Sequence, residues 1–79
     1  MGIIQGRVIT LGGHPVPNAR VVAFPPANLM GGMLYAHTNE QGRFRMMYTG
    51  EAPLEYVKVD GGERVDNVPN GSNLTLKKV

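Results

Sequence analysis

The sequence has no cysteine and no tryptophan, and its aromatic side chains are limited to three tyrosines and two phenylalanines among 79 residues. Without cysteine there can be no disulfide, no thiolate metal ligand and no thiol nucleophile. No apolar run approaches the ~18 residues that a membrane-spanning helix requires. The opening "MGIIQGRVIT" lacks the charged start and long apolar stretch of a secretion signal, so the expectation is a chain that is either cytoplasmic or already processed. Charge of neither sign dominates, since the net charge is +2. Arg7, Arg20, Arg43, Arg45, Lys58, Arg64, Lys77 and Lys78 read as scattered among acids, with no cluster and no interleaved aromatics. Solvated faces are expected, and nucleic acid is not expected as a partner.

What the chain does contain is eleven glycines and six prolines punctuating short alternating apolar segments. That pattern belongs to strands and tight turns rather than helices. Ile3 to Thr10 reads as a first strand, and "LGGHPVPN" breaks it, because Pro15 and Pro17 cannot continue a central strand. Further strands are expected over Ala19 to Phe24, Met33 to Thr38, Arg43 to Tyr48 and Leu54 to Val59, then near Val65, and finally around Leu74 and Leu76. In "TNEQGRF", Asn39 and Gly42 occupy the positions a type I turn prefers, which predicts a hairpin between the third and fourth strands. Seven short strands with regular turn signals predict an all-β fold, a small Greek-key β-sandwich occupying residues 1–79 as one domain.

The order of these pieces resembles a known family. "IIQGRVIT", then "GGHPVPNARVVAF", then "HTNEQGRFRM" is similar to the carboxypeptidase regulatory-like domain, a seven-stranded sandwich of the transthyretin-like, Ig-like kind. The resemblance extends through "EYVKVDGG" and "GSNLTLKKV" to the end. It implies a non-catalytic appended module for folding support, display or binding, without naming a ligand. Within that pattern Gly6 stands where a neighbouring strand or ring can approach closely, and Asn18 replaces the usual glycine, which Asn tolerates because it can adopt left-handed φ. Transthyretin-like hydrolases of the urate pathway resemble this fold too, yet their histidine-bearing N-terminal motif and C-terminal Tyr-Arg-Gly-Ser have no counterpart here. An enzyme is therefore not expected, and no cofactor is called for.

The remaining polar candidates have ordinary readings. His14 is expected in a turn and His37 on a strand; a metal or acid-base pair of His37 with Glu40 is conceivable, but turn residues so close in sequence are polar for solvation first, and Asp60, Glu63 and Asp66 fit a solvated hairpin turn better than a Ca²⁺ site, since no EF-hand pattern surrounds them. Asn70 and Asn73 each begin a glycosylation sequon, although Asn-Gly is first of all a turn dipeptide.

The apolar residues carry the stronger signal. If Ile4, Val8, Ala19, Val21, Ala23, Phe44, Met46, Val57, Val59, Leu74 and Leu76 fill the core, then alternation turns Ile3, Ile9, Val22, Phe24, Tyr35 and Met47 outward, where polar residues would be usual. The uncharged "PPANLMGGML" adds Leu29, Met30, Met33 and Leu34 in a loop. Together Ile3, Ile9, Val22, Phe24, Leu29, Met30, Met33, Leu34 and Met47 form the candidate partner interface. The expected function is a structural, self-associating module, a homo-oligomer or polymer joined through the apolar loop and edge strands, such as the subunit of an extracellular filament or surface assembly. The alternative is an accessory glycan- or peptide-binding domain of a larger surface protein or carboxypeptidase.

Overall fold

The computed structural model describes residues 2–26 and 33–78. Leu29 and Met30 lie outside the described residues. The strands are β1 (Gly2–Thr10), β2 (Arg20–Phe24), β3 (Leu34–His37), β4 (Arg43–Tyr48), β5 (Leu54–Val59), β6 (Arg64–Val68) and β7 (Asn73–Lys78), with no helix among the described residues. They form a three-stranded sheet in the order β4-β1-β7 and a four-stranded sheet in the order β3-β2-β5-β6. The chain is an all-β, seven-stranded sandwich, as the turn spacing predicts.

Alternation explains how the two sheets find each other. On β4, Phe44, Met46 and Tyr48 are buried while Arg43, Arg45 and Met47 between them are exposed. Ile4 and Val8 of β1, Val21 and Ala23 of β2, Val57 and Val59 of β5 and Leu76 of β7 meet them in one core cluster. Leu74, expected in the core, is half-buried and packs against it. Tyr48, Leu54 and Val68 are core residues beyond those expected.

Leu54 and Val68 break the simple pattern. They pair with each other and are buried, although they share their side of the ladder with Tyr56 and Asp66, which remain at least partly open to solvent. The change of face coincides with Asn67, whose φ of 54° is left-handed and turns β6 back toward the core. Asn18 also adopts left-handed φ, at 55°, in the position where its tolerance of that conformation was expected.

The expected hairpin between β3 and β4 does not form. The turn itself is present: the Gly42 amide donates to the Asn39 carbonyl at 2.9 Å, and Asn39 Oδ1 accepts from the amides of Gln41 and Arg43. Yet β3 pairs with β2 and β4 pairs with β1, in opposite sheets. Two anchors pull the legs of the turn apart. On one side, the Val8 amide donates to the Gly42 carbonyl at 2.7 Å, tying the turn to β1. Gly42 itself has φ 76°, and a Cβ there would lie 2.7 Å from the Val8 carbonyl oxygen, so only glycine fits.

On the other side stands Thr38, the one buried polar residue of the described chain. Its hydroxyl accepts from the Ala19 amide at 2.7 Å and donates to the Val16 carbonyl at 2.6 Å. Its amide donates to the Ala19 carbonyl, and its carbonyl accepts from the Asn18 amide, both at 3.0 Å. The passage from β3 to β4 is thereby clasped to the passage from β1 to β2.

β1 is the middle of its sheet, antiparallel to β4 and parallel to β7. Gly6 is the point of closest approach, because a Cβ on it would stand 2.1 Å from the Leu74 carbonyl oxygen. The reading of Gly6 as a site of close strand approach is met by β7.

Gly6→Ala should force β1 and β7 apart and lower unfolding free energy by about 2 kcal/mol, as overpacked cores do, measured by urea denaturation. Thr38→Val, which keeps the shape and removes the hydroxyl, should leave the Val16 carbonyl and Ala19 amide without that partner and cost about 2–3 kcal/mol in the same assay.

Candidate functional site

The described residues contain no cluster of three or more His, Cys, Asp or Glu side chains placed to hold a metal ion. His14 and His37 are exposed, the first in the β1–β2 connection and the second at the end of β3. Asp60, Glu63 and Asp66 form no metal-holding group: the Asp66 carboxylate pairs with Arg64 at 2.8 Å and Glu63 Oε1 accepts from the Lys77 amide at 3.2 Å, while Asp60 is engaged through its backbone carbonyl, which accepts from Lys78 Nζ at 2.9 Å.

The sequon asparagines differ sharply. Asn70 Nδ2 donates to the carbonyls of Tyr48 at 2.8 Å and Gly50 at 2.9 Å, so it ties the β4–β5 connection to the turn before β7. A glycan on that nitrogen would disrupt both bonds. Asn70 thus acts as a strut of the fold. Asn73 is exposed at the start of β7. Tyr48 belongs to the same strut, since its hydroxyl donates to the Ala52 carbonyl at 2.6 Å and its ring is buried.

The expected apolar interface divides between the two outer faces of the sandwich. On the four-stranded sheet, Val22 and Phe24 project outward from β2, but the chain covers them itself. Val22 is only 8% exposed, flanked in register by Tyr35 of β3 and Lys58 of β5. Phe24 stacks on Tyr56 with ring centroids 4.4 Å apart, and the Arg64 guanidinium lies 4.5 Å from the Tyr56 ring centre. The Arg20 guanidinium lies 4.7 Å from the centre of the Tyr35 ring. Cation–π contacts of this kind hold the arginine stems down over apolar surface. Val22 is therefore withdrawn from the interface by its own neighbours, and Leu34 likewise packs against the core.

The outer face of the three-stranded sheet is less covered. Ile3 and Met47 stand opposite each other in the ladder, Ile3 half-buried and Met47 59% exposed. Ile9, also half-buried, is bridged to Pro15 of the β1–β2 connection. Leu11, a residue outside the expected set, is 71% exposed in that connection. Its place inside a Gly- and Pro-rich turn hid it from the strand pattern.

Between the apolar ends of this face lies a polar groove. The register sets Gln5 opposite Arg45 and Arg7 opposite Arg43. These side chains, with His37, Asn39, Asn73 and Thr75, line an open hollow of about 900 Å³. The arginines that look scattered along the sequence are thus gathered by pairing.

The four sheet edges are unequal. β4, β6 and β7 carry Arg or Lys, whereas β3, "LYAH", carries no Arg, Lys, Asp or Glu. Charged side chains and proline are the usual protection of an open edge, and β3 has neither. Tyr35, 49% exposed, and Met33, 38% exposed, lie on and beside this edge.

No helix of the described chain is long and apolar enough to cross a membrane. Compared with known proteins, the chain matches no family model, no curated protein and no solved structure.

Asn70→Ala should destabilise the fold by about 1–3 kcal/mol in chemical denaturation, through loss of two partly buried hydrogen bonds, while Asn73→Ala, at an exposed position, should shift it by less than about 0.5 kcal/mol.

Proposed function

We propose that the chain is a non-catalytic structural module of the carboxypeptidase regulatory-like kind, whose copies associate through the β3 edge and the adjoining apolar surface into an oligomer or an open polymer of the cell exterior. The observation that carries this reading is the unprotected edge. Among the described residues the outer side of β3 has no strand paired to it, exposed Met33 and Tyr35 lie on and beside it, and the strand itself carries no Asp, Glu, Lys or Arg. Strand addition at such an edge supplies main-chain hydrogen bonds for affinity and places alternate side chains against the partner. A head-to-tail contact of this type need not close, and then it propagates.

The second reading, a glycan- or peptide-binding accessory domain, draws support from the rings of Phe24, Tyr35 and Tyr56 on one outer face. Against it, Tyr56 is already stacked by Phe24 and accompanied by Arg64, and Arg20 lies over Tyr35. A stacking platform for sugar needs open ring faces.

Sedimentation velocity over a concentration series tests the assembly. The native chain should form species larger than a monomer as concentration rises, and Tyr35→Lys, which places a charge on the edge without entering the core, should shift the distribution to monomer by at least about tenfold in apparent dissociation constant. A monodisperse monomer at every concentration, with filaments absent by electron microscopy, would refute the reading.

A further inference from the structure

The arginine groove on the three-stranded sheet meets the β3 edge at His37, and edge association by β3 does not account for its arginines. Arg7 and Arg43 are register partners in adjacent antiparallel strands, an arrangement of like charges that destabilises a sheet. Arg45 follows Arg43 on the same face, roughly 7 Å farther along the strand. No carboxylate lines the groove, and the one ion pair among the described residues, Arg64 with Asp66, is on the other sheet. The repulsion is thus left uncompensated within the chain. A bound oxyanion would remove it.

The remaining lining narrows the chemistry. All three cations are arginines, whose planar fork matches carboxylate and sulfate oxygens better than an ammonium does. Gln5, Asn73 and Thr75 interleave amide and hydroxyl groups able to exchange hydrogen bonds with neutral hydroxyls. The groove is open rather than enclosed, which suits an extended chain passing across the sheet. Phe44 is buried in the core, which leaves the His37 imidazole as the one exposed ring of the groove, too little to stack successive nucleobases. We propose that this face binds a strand of acidic polysaccharide, with Arg7, Arg43 and Arg45 engaging successive sulfate or carboxylate groups and Gln5, Asn73 and Thr75 engaging the sugar hydroxyls.

Titration calorimetry with a heparin-derived octasaccharide, on the native chain at low and at physiological salt, tests the site. Binding should weaken as salt rises, and neutral dextran should not bind. Arg43→Ala and Arg45→Ala should each weaken binding by about tenfold, in proportion to the loss of a charge-assisted contact. Arg43→Lys, which keeps the charge and loses the fork, should fall between the native chain and Arg43→Ala. Lys58→Ala removes one positive charge from the opposite face and should leave binding unchanged. Thermal melting of each variant establishes that these exposed substitutions leave the sandwich folded.

Absence of binding at low salt would overturn the proposal. So would an equal loss from Lys58→Ala, which would mean diffuse attraction to net charge. Tighter binding of single-stranded DNA through the same arginines would reassign the groove to nucleic acid. If Arg43→Ala dissociates assemblies in sedimentation and leaves octasaccharide binding intact, the face belongs to a second copy of the chain. Edge association by β3 can fail or stand independently of all these results, because Tyr35→Lys does not touch the groove.

Discussion

The sandwich depends on Thr38. A small β-protein must send its chain from one sheet to the other several times, and each passage leaves backbone donors and acceptors without a ladder to satisfy them. Here one buried hydroxyl and its own peptide groups satisfy the segment from Val16 to Ala19, so two passages are fastened at one point. Because the clasp holds the end of β3 beside β2, the turn that follows must deliver β4 to the opposite layer. The core cluster is the consequence: Phe44 and Met46 face Val21, Ala23, Val57 and Val59 across the gap because the corner is fixed.

With the layers fixed, surface chemistry follows from register. The four-stranded sheet turns apolar side chains outward and then covers them with Arg20, Arg64 and the Tyr56–Phe24 stack. The three-stranded sheet sets apolar Ile3 and Met47 at one end of a cationic groove. Its neighbour in space, β3, leaves an edge with little to deter pairing. One face is therefore largely self-sheltered, another is charged, and among the described residues one edge is left without charged side chains of its own.

Strand positions were legible because half-buried strands advertise themselves by alternation, and Phe44, Met46 and Tyr48 interleaved with Arg43, Arg45 and Met47 are the plainest case. The partner of each strand was not legible in the same way. "TNEQGRF" encodes a chain reversal, but a reversal says nothing about which layer receives the next strand; that is decided by Thr38, whose partners are some twenty residues away. Leu54 and Val68 escaped because Asn67 switches the side on which β6 presents its residues. The same limit concealed the arginines, since Arg7 and Arg43 become neighbours only when β1 and β4 are aligned. Val22 misled for a different reason. Alternation reports which way a side chain points, but not whether the residues around it lean over to cover it.

The position of β1 has a kinetic consequence. Its two flanking partners come from the middle and the far end of the chain, with residue 6 abutting both Phe44 and Leu74. During synthesis β1 must wait for β7 before its layer is complete. Contacts that join distant parts of a chain pay loop entropy before they return any stabilisation, and topologies built on them fold slowly. Gly6 sharpens the wait, because its bare backbone is reserved for a strand that does not yet exist, and any other strand edge nearby can occupy that berth in the interval.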